Sequence, residues 1–573
     1  MIGSVRIRNL VSGGTLLLSL LAPAAARAAA AGPAEPSPTV QGPITGGSHG
    51  RAFNDWPWPL KDYGYRQDEY FISGTAKAYG ATAPPAAYKV RIQVLRPIDP
   101  RQASGTAVVE WNNVSAQYDI PLGWVWTHPR VMSDGDVYVM VSAQEVGVCG
   151  NAAALSLVRG AVSVPDPLAG SGVEVCTPTS LKGWDPQRYD SLHHPGDDYS
   201  FDIYSQAVQA IRHPHGIDPV AGITITHVIG YGQSQSASRF DGYLCNGADQ
   251  AAHLIDAAIM DADVGTAITC VPRVPSIKLW SEESARPVPS TASANLRIWM
   301  IPGAPHEDAW QSKYEEAWTT YNLAGVAPSL PGNREMQADA GDYGQEGITP
   351  GGETCLPHGD EYPRRYIDDA AFQALKDWML HGHPAPTFPS DAFTPAAGAV
   401  DAPFGSTTNF QHDAHLNTLG GIRSPVLDVP VATYIGPTCA LFGETIPFTS
   451  VQLAQLYPTH GSYVDRMFAS IQSAVAAGSM LPVDATDLMQ RACASSIGGP
   501  PAASCPHITA TSPYAVDHPA ATAEPATRPQ RSPALAVRPG TRGLAATGLP
   551  DGAAFAALGL LGAAWCVRRS RQT

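Results

Sequence analysis

Short apolar segments recur along the middle of the chain, and each is separated from the next by a loop or by a stretch with helical spacing. Apolar and β-branched residues follow one another in these segments, as in strands that are buried on both faces. The segments are Ala107–Trp111, Val137–Ser142, Ile223–Ile229, Ala257–Met260, Ser276–Trp280 and Leu296–Ile301. Strands that alternate with crossovers predict an α/β fold with a mostly parallel central sheet flanked by helices.

The segments before and between these strands support the same architecture. Residues 63–142 often alternate apolar and polar side chains, as in Tyr88–Val94, which predicts half-buried strands at an antiparallel edge of the sheet. Apolar residues at helical spacing predict helices over Phe201–Arg212 and Ser236–Cys245. The turn Gly230–Gly232 is expected to separate the strand Ile223–Ile229 from the second of these helices.

A serine lies at this junction between a buried strand and a helix. The segment Gly232–Ser236 places small residues two positions before and after Ser234. A tight strand-to-helix turn leaves space only for small neighbours and exposes the serine hydroxyl above the carboxyl edge of the sheet. Ser234 is therefore the candidate nucleophile, although a serine that only caps an ordinary helix is the simpler interpretation of the pentapeptide taken alone.

A histidine follows the last apolar strand. In the segment Pro302–His306 only small residues and prolines precede the imidazole, so His306 can lie over the sheet edge towards Ser234. A serine nucleophile needs such a base to remove its proton. His306 is therefore the candidate general base.

Two carboxylates end the strand before that one. An acid beside the base would fix its tautomer and stabilise the imidazolium that forms during the reaction. Glu282 is the preferred candidate and Glu283 the alternative. The reserve candidates are Asp261, Asp263 and Asp308.

The candidate oxyanion hole consists of two backbone N–H groups. Gln235 begins the helix after the nucleophile, where its N–H has no intrahelical acceptor. Asn113 lies in the loop after the strand Ala107–Trp111 and is the candidate for the second donor. Asparagine in such a loop is equally typical of a turn.

Several blocks of the chain together resemble a group of α/β-hydrolase-domain proteins. The blocks are Val109–Ser115, Trp184–Tyr189, Gly232–Ala237, Pro302–His306 and Gly420–Pro425, within a resemblance that spans about Gly47 to Cys493. It implies an α/β-hydrolase fold and serine-hydrolase machinery at Ser234 and His306. Members of the group often carry an acid at the position of Ser284, two residues beyond Glu282.

The predicted function is that of a serine hydrolase acting on carboxylic esters, on small molecules or polymers, through an acyl-enzyme intermediate. A binding or adhesion protein with a vestigial site, an acyltransferase and a peptidase are the alternatives on the same fold. The residues from about 311 to 493 exceed a minimal hydrolase sheet. Their predicted helices, Asp369–His381, Val451–Leu456 and Tyr463–Ala477, indicate a cap or C-terminal extension of the hydrolase domain 29–499.

Both termini are typical of an exported protein. Residues 1–28 combine basic residues, an apolar stretch and a small-residue cleavage site, as in a secretory signal peptide. Residues 544–573 resemble a cell-wall sorting signal, with Leu544–Gly548, an apolar segment and a basic tail, and would be recognised by a sortase. A membrane anchor is the alternative for this tail. The Pro-, Ala- and Thr-rich residues 500–543 would be the spacer, and the expected location is the cell surface.

Cysteine content and charge constrain the disulfides, the binding partners and the metal content of the protein. Eight of the nine cysteines precede the proposed sorting signal, and sequence proximity favours the disulfides Cys149–Cys176, Cys245–Cys270 and Cys493–Cys505. A net charge of −15 without a basic stripe argues against nucleic acid as a partner. Cysteines and histidines do not follow a zinc-ligand spacing, and the sequence predicts no cofactor or metal.

Overall fold

The structure is a computed structural model that describes residues 35–150, 176–262, 270–285, 293–325, 360–388, 393–397, 409–438 and 441–514. The proposed signal peptide, most of the spacer and the proposed sorting signal lie outside these residues. No helix within the described ranges has both the length and the apolar character needed to cross a membrane.

Eleven strands are assigned in the described residues. They are β1 Thr39–Gln41, β2 Tyr65–Ala76, β3 Ala86–Pro97, β4 Thr106–Trp111, β5 Val137–Val141, β6 His227–Gln233, β7 Ala257–Asp261, β8 Ser276–Ser281, β9 Leu296–Ile301, β10 Ala432–Ile435 and β11 Glu444–Pro447. The first nine form one sheet in the order β1-β2-β3-β5-β4-β6-β7-β8-β9, and β10 pairs with β11. β5, β4 and β6 to β9 run parallel, whereas β1 to β3 add antiparallel strands at one edge.

Helices cover both faces of the sheet. The α-helices of the described residues are α1 Leu122–Asp134, α2 Glu145–Cys149, α3 Leu181–Trp184, α4 Pro186–Tyr189, α5 Ser200–Arg212, α6 Gln235–Cys245, α7 Ala248–Ala252, α8 Ala309–Ala324, α9 Arg365–His381, α10 Pro425–Asp428, α11 Ser450–Leu456, α12 His460–Ala477 and α13 Pro482–Ala494. Short 3₁₀ helices span Leu60–Tyr63, Pro100–Gln102 and Asp197–Tyr199. The predicted α/β fold with a mostly parallel sheet is confirmed.

The core lies in two layers because successive strand residues point to opposite faces of the sheet. Val108 packs with α1 and α9 on one face, whereas its neighbour Val109 packs with α5 and α6 on the other. Both side chains are fully buried. The central strands are mostly apolar because neither face of the sheet meets water.

The central strand β6 begins later than predicted and includes Gly230 and Gly232, which the sequence places in a turn. A Cβ at Gly230 would lie 2.2 Å from Cζ of Phe240, and one at Gly232 would lie 2.8 Å from the carbonyl oxygen of Ser236. Glycine at these two positions therefore allows α6 to pack closely against β6. The other apolar segments form strands within one residue of the predicted bounds.

The three predicted disulfides are confirmed. Cys149 is bonded to Cys176, Cys245 to Cys270 and Cys493 to Cys505. The first two link segments of the sheet domain, and the third joins the end of α13 to the chain that follows it.

The helices predicted for the extension are present, and the structure shows which elements they pack against. α9 begins at Arg365, four residues before the predicted start, and packs against β7, β8 and α1. It therefore belongs to the layer that flanks the sheet. α12 packs against α13 and α10.

Candidate active site

The strand register brings the loops that carry the candidate residues to one edge of the sheet. Gln233, the last residue of β6, pairs with Asp261 at the end of β7, and Ser281 of β8 pairs with Ile301 of β9. The strands are parallel and about 4.8 Å apart, so the loops after β6, β8 and β9 emerge side by side. Ser234, the two glutamates and His306 lie in these loops.

Ser234 occupies the turn between β6 and α6 in a backbone conformation that is rare for a residue with a side chain. Its φ is 61° and its ψ is −126°. Its N–H donates to the carbonyl oxygen of Asp261 at 2.8 Å, which holds the turn against β7. Strain of this kind is typical of a nucleophile elbow, which lifts the hydroxyl above the sheet edge.

Ser236 replaces the second glycine of the usual elbow pattern and ties the turn together. The Gln233 N–H donates to Oγ of Ser236 at 3.0 Å, and that hydroxyl donates to the Gln233 carbonyl oxygen at 2.7 Å. The two bonds close a small ring across the turn. Serine is therefore tolerated at this position because its short side chain bonds to the backbone of the elbow itself.

The acid that contacts His306 is Glu283, the sequence alternative, and not Glu282. Nδ1 of His306 lies 2.8 Å from Oε1 of Glu283. Hydroxyls of Ser281 and Ser284 donate to the same oxygen at 2.6 and 2.7 Å. Three groups thus hold this buried carboxylate, and Ser284 is one of them.

The preferred candidate Glu282 has a different set of partners. Its Oε2 accepts a hydrogen bond from the N–H of Gly303 at 2.6 Å, and its Oε1 accepts one from the hydroxyl of Thr418 at 2.7 Å. Burial raises the pKa of Glu282 to about 7, although both hydrogen bonds oppose this shift. Glu282 therefore braces the loop that carries His306 and does not contact the imidazole.

The reserve acids have other roles. Asp261 forms an ion pair with Arg364 and accepts a hydrogen bond from the hydroxyl of Tyr231 at 2.9 Å. Asp308 caps α8 by accepting from the N–H of Gln311 at 2.9 Å, and burial raises its pKa to about 7. Asp263 lies outside the described residues.

The two candidate oxyanion donors differ in whether the backbone N–H already has an acceptor. Gln235 is the first residue of α6, where helix geometry leaves its N–H without an intrahelical acceptor. The backbone N–H of Asn113 instead donates to the carbonyl oxygen of Ile120 at 3.0 Å, so it is already engaged. The Asn113 side chain donates to the Gln233 carbonyl oxygen at 3.1 Å. Asn113 thus braces the elbow, and its assignment as the backbone donor needs correction.

Arg364 and two further glutamates near His306 were not recognised in the sequence. Nη1 of Arg364, just before α9, donates to the His306 carbonyl oxygen at 3.2 Å. Burial raises the pKa of Glu315 to about 7, with His306 opposing the shift, and burial beside Glu315 raises the pKa of Glu307 well above its ordinary range. Arg364 lies in the extension, where the sequence shows no pattern that relates it to the sheet edge.

Comparison with known proteins identifies the family. A family described as alpha/beta hydrolase domain matches residues 40–490. No curated protein matches the chain.

Comparison with solved structures gives distant matches. A thermostable esterase from Pseudomonas putida is 12% identical with a TM-score of 0.22, over 38% of this chain and 65% of its own. A serine hydrolase without a lid from Xanthomonas campestris is 10% identical with a TM-score of 0.23, over 45% of this chain and 97% of its own. The chain thus spans slightly less than two thirds of the esterase.

Proposed function

Because this chain belongs to the alpha/beta hydrolase domain family, we propose that it is a serine hydrolase that cleaves carboxylic esters through an acyl-enzyme. The observation that carries the proposal is the strained turn at Ser234, with φ at 61° between β6 and α6. A strained backbone at Ser234, on the carboxyl edge of the sheet, is explained if the hydroxyl of this serine is the reacting group. The contact between His306 and Glu283 at the same edge supports the proposal.

The proposed reaction proceeds in two steps. Oγ of Ser234 attacks the ester carbonyl carbon, His306 takes the hydroxyl proton on Nε2, and the same proton then passes to the departing alcohol. Water attacks the resulting acyl-enzyme, gives one proton to His306, and the acid is released as Ser234 regains its proton. Glu283 holds Nδ1 and stabilises the imidazolium in both steps, because its carboxylate accepts the Nδ1–H.

The N-terminus of α6 supplies the proposed charge stabilisation. Gln235 is the first residue of α6, so its N–H lies at the positive end of the helix dipole, next to the elbow. A negative charge develops on the former carbonyl oxygen during both attacks. Gln235 is therefore the proposed oxyanion donor in this mechanism.

The test is substitution of the nucleophile. Ser234→Ala is expected to abolish turnover of short-chain aryl esters and covalent labelling by a fluorophosphonate probe, in which Oγ displaces fluoride. Ser205→Ala is the matched control, since this buried serine on α5 bonds to Tyr243 and has no place in the proposed chemistry. Labelling and turnover that persist in the Ser234→Ala protein would overturn the proposal. An unlabelled wild-type protein that binds a wall polymer would identify it as a binding protein.

We also propose that the protein is exported and anchored at the cell surface. The support is the sequence pattern of residues 1–28 and 544–573, together with three disulfides, which are typical of an oxidising compartment. Mass spectrometry of the protein from a cell-wall fraction is expected to find a chain that begins at Ala29 and ends at Thr547. Recovery of the intact chain from the cytoplasm would contradict both processing steps.

A further inference from the structure

Three metal-ligating side chains meet at the end of α9, far from the candidate active site. Nδ1 of His381 lies 2.9 Å from one carboxylate oxygen of Asp377, and Nδ1 of His383 lies 3.3 Å from the other. One potential ligand atom from each residue lies within 4.8 Å of the other two. We propose that Asp377, His381 and His383 form a binding site for a divalent transition-metal ion of the zinc type.

The local backbone explains how the three residues converge. Asp377 and His381 are one helical turn apart on α9 and so lie on the same side of the helix. Gly382 then adopts a left-handed conformation with φ at 72°, which ends the helix and turns His383 back towards Asp377. The following segment is held to β9, since Arg297 donates to the Ala385 carbonyl oxygen at 2.8 Å. The site is therefore assembled before a metal arrives.

The donor set selects the class of metal. Two imidazoles and one carboxylate suit zinc, copper, nickel and related ions, whereas calcium and magnesium prefer oxygen ligands alone. The carboxylate of Asp377 is 4% exposed, and the His381 and His383 side chains are 31% and 68% exposed. An ion could thus approach from solvent and complete its coordination with water. The negative end of the α9 dipole also favours a cation at this place.

The position of the site separates it from the proposed hydrolysis. α9 has 17 residues and is therefore about 25 Å long, and Arg364 contacts the His306 carbonyl at its other end. A metal at Asp377 would fasten the end of α9 to the loop that follows it, which is hydrogen-bonded to β9, and would not touch the atoms that react in the proposed hydrolysis. Its expected effect is on stability, because an ion that binds only the folded chain shifts the unfolding equilibrium.

The experiment is a titration of the purified full chain, without a histidine tag and after chelator treatment, with ZnCl₂. Calorimetry is expected to show a site of about one equivalent, and zinc is expected to raise Tm without changing ester turnover. His381→Ala and His383→Ala should each weaken binding about tenfold or more and remove the rise in Tm. His215→Ala is the matched control, because His213 and His215 form a second, exposed pair with the same spacing.

Cobalt provides a readout that does not depend on stability. Co²⁺ bound by two imidazoles and a carboxylate is expected to give a visible absorption band that Asp377→Asn weakens and His215→Ala leaves intact. Circular dichroism of each variant checks that it is folded. Zinc affinity that is the same in wild-type protein and in the folded His381→Ala and His383→Ala variants would overturn the proposal, as would failure of the wild-type protein to bind either ion.

Discussion

The loops at the carboxyl edge of the sheet and the C-terminal extension, from about residue 311 to 493, hold their buried polar groups in different ways. At the edge several partners are close in sequence: Ser281 and Ser284 hold Glu283, and Ser236 bonds to Gln233. The extension reaches that edge from a distance, since Thr418 bonds to Glu282 across 136 positions. The reactive groups are therefore arranged by short loops, and the extension braces those loops.

Groups that would act in the proposed reaction thus differ from groups that support them. Glu283 and Glu282 are neighbours in sequence and are both buried, yet one contacts His306 and the other contacts the extension. Substitution of the first should change the chemistry, and substitution of the second should change mainly stability. The following three predictions test that separation.

The largest effect is expected for Glu283→Gln. An amide in place of the carboxylate cannot stabilise the imidazolium and favours the wrong tautomer, so kcat/KM for an aryl ester should fall about a thousandfold or more. Glu282→Gln is the matched control and should lower kcat/KM by about tenfold at most. Steady-state kinetics on folded protein measures both. A larger loss for Glu282→Gln would reverse the assignment of the two glutamates.

A smaller effect, mainly on stability, is expected for Arg364→Met. The guanidinium is fully buried between Asp261 and Asp368, and its removal leaves two buried carboxylates without their cation. The free energy of unfolding should fall by about 3 to 5 kcal/mol.

Urea denaturation measures this change. Arg423→Met is the control within the extension, because Arg423 also pairs with two aspartates, Asp413 and Asp428, but is partly exposed. Substitution of Arg423 should lower the free energy of unfolding by about 1 kcal/mol. Equal losses for the two variants would show that Arg364 is not a buried link between the extension and the edge.

The smallest effect, per group and per pH unit, is a pH dependence of stability. Burial raises the pKa of Glu282 at the edge and that of Asp484 in the extension to about 7, above their ordinary values of 4.5 and 3.8. Between these values the folded chain retains a proton that the unfolded chain releases. Stability should therefore fall as the pH rises to about 7, by up to about 1.4 kcal/mol per pH unit for each group.

Urea denaturation from pH 5 to 7.5 checks the slope. Glu282→Gln and Asp484→Asn should each flatten it, because either change removes one group that binds a proton on folding. A slope that stays at its wild-type value in both variants would show that neither carboxyl is held protonated by burial.

The sequence alone determined the fold class, the approximate positions of most strands, the tight turn at Ser234 and three disulfides. Buried parallel strands produce continuous apolar runs, and an elbow demands small residues around Ser234, so both leave a local pattern. Sequence proximity was sufficient for the cysteine pairs because each joins segments that the fold keeps close. His306 could be chosen since it follows the last strand of the sheet after a run of small residues and prolines.

Only the tertiary structure decided which of two neighbouring residues contacts His306 and which braces the loop. Glu282 and Glu283 are the same residue type in one turn, and the direction of each side chain depends on the path of that turn and on Thr418. The bond from the Asn113 side chain to Gln233 and the bond from Arg364 to the His306 carbonyl depend on segments brought together by the sheet. Such contacts join residues far apart in the chain, and their energy depends on burial and direction, which composition and spacing do not encode.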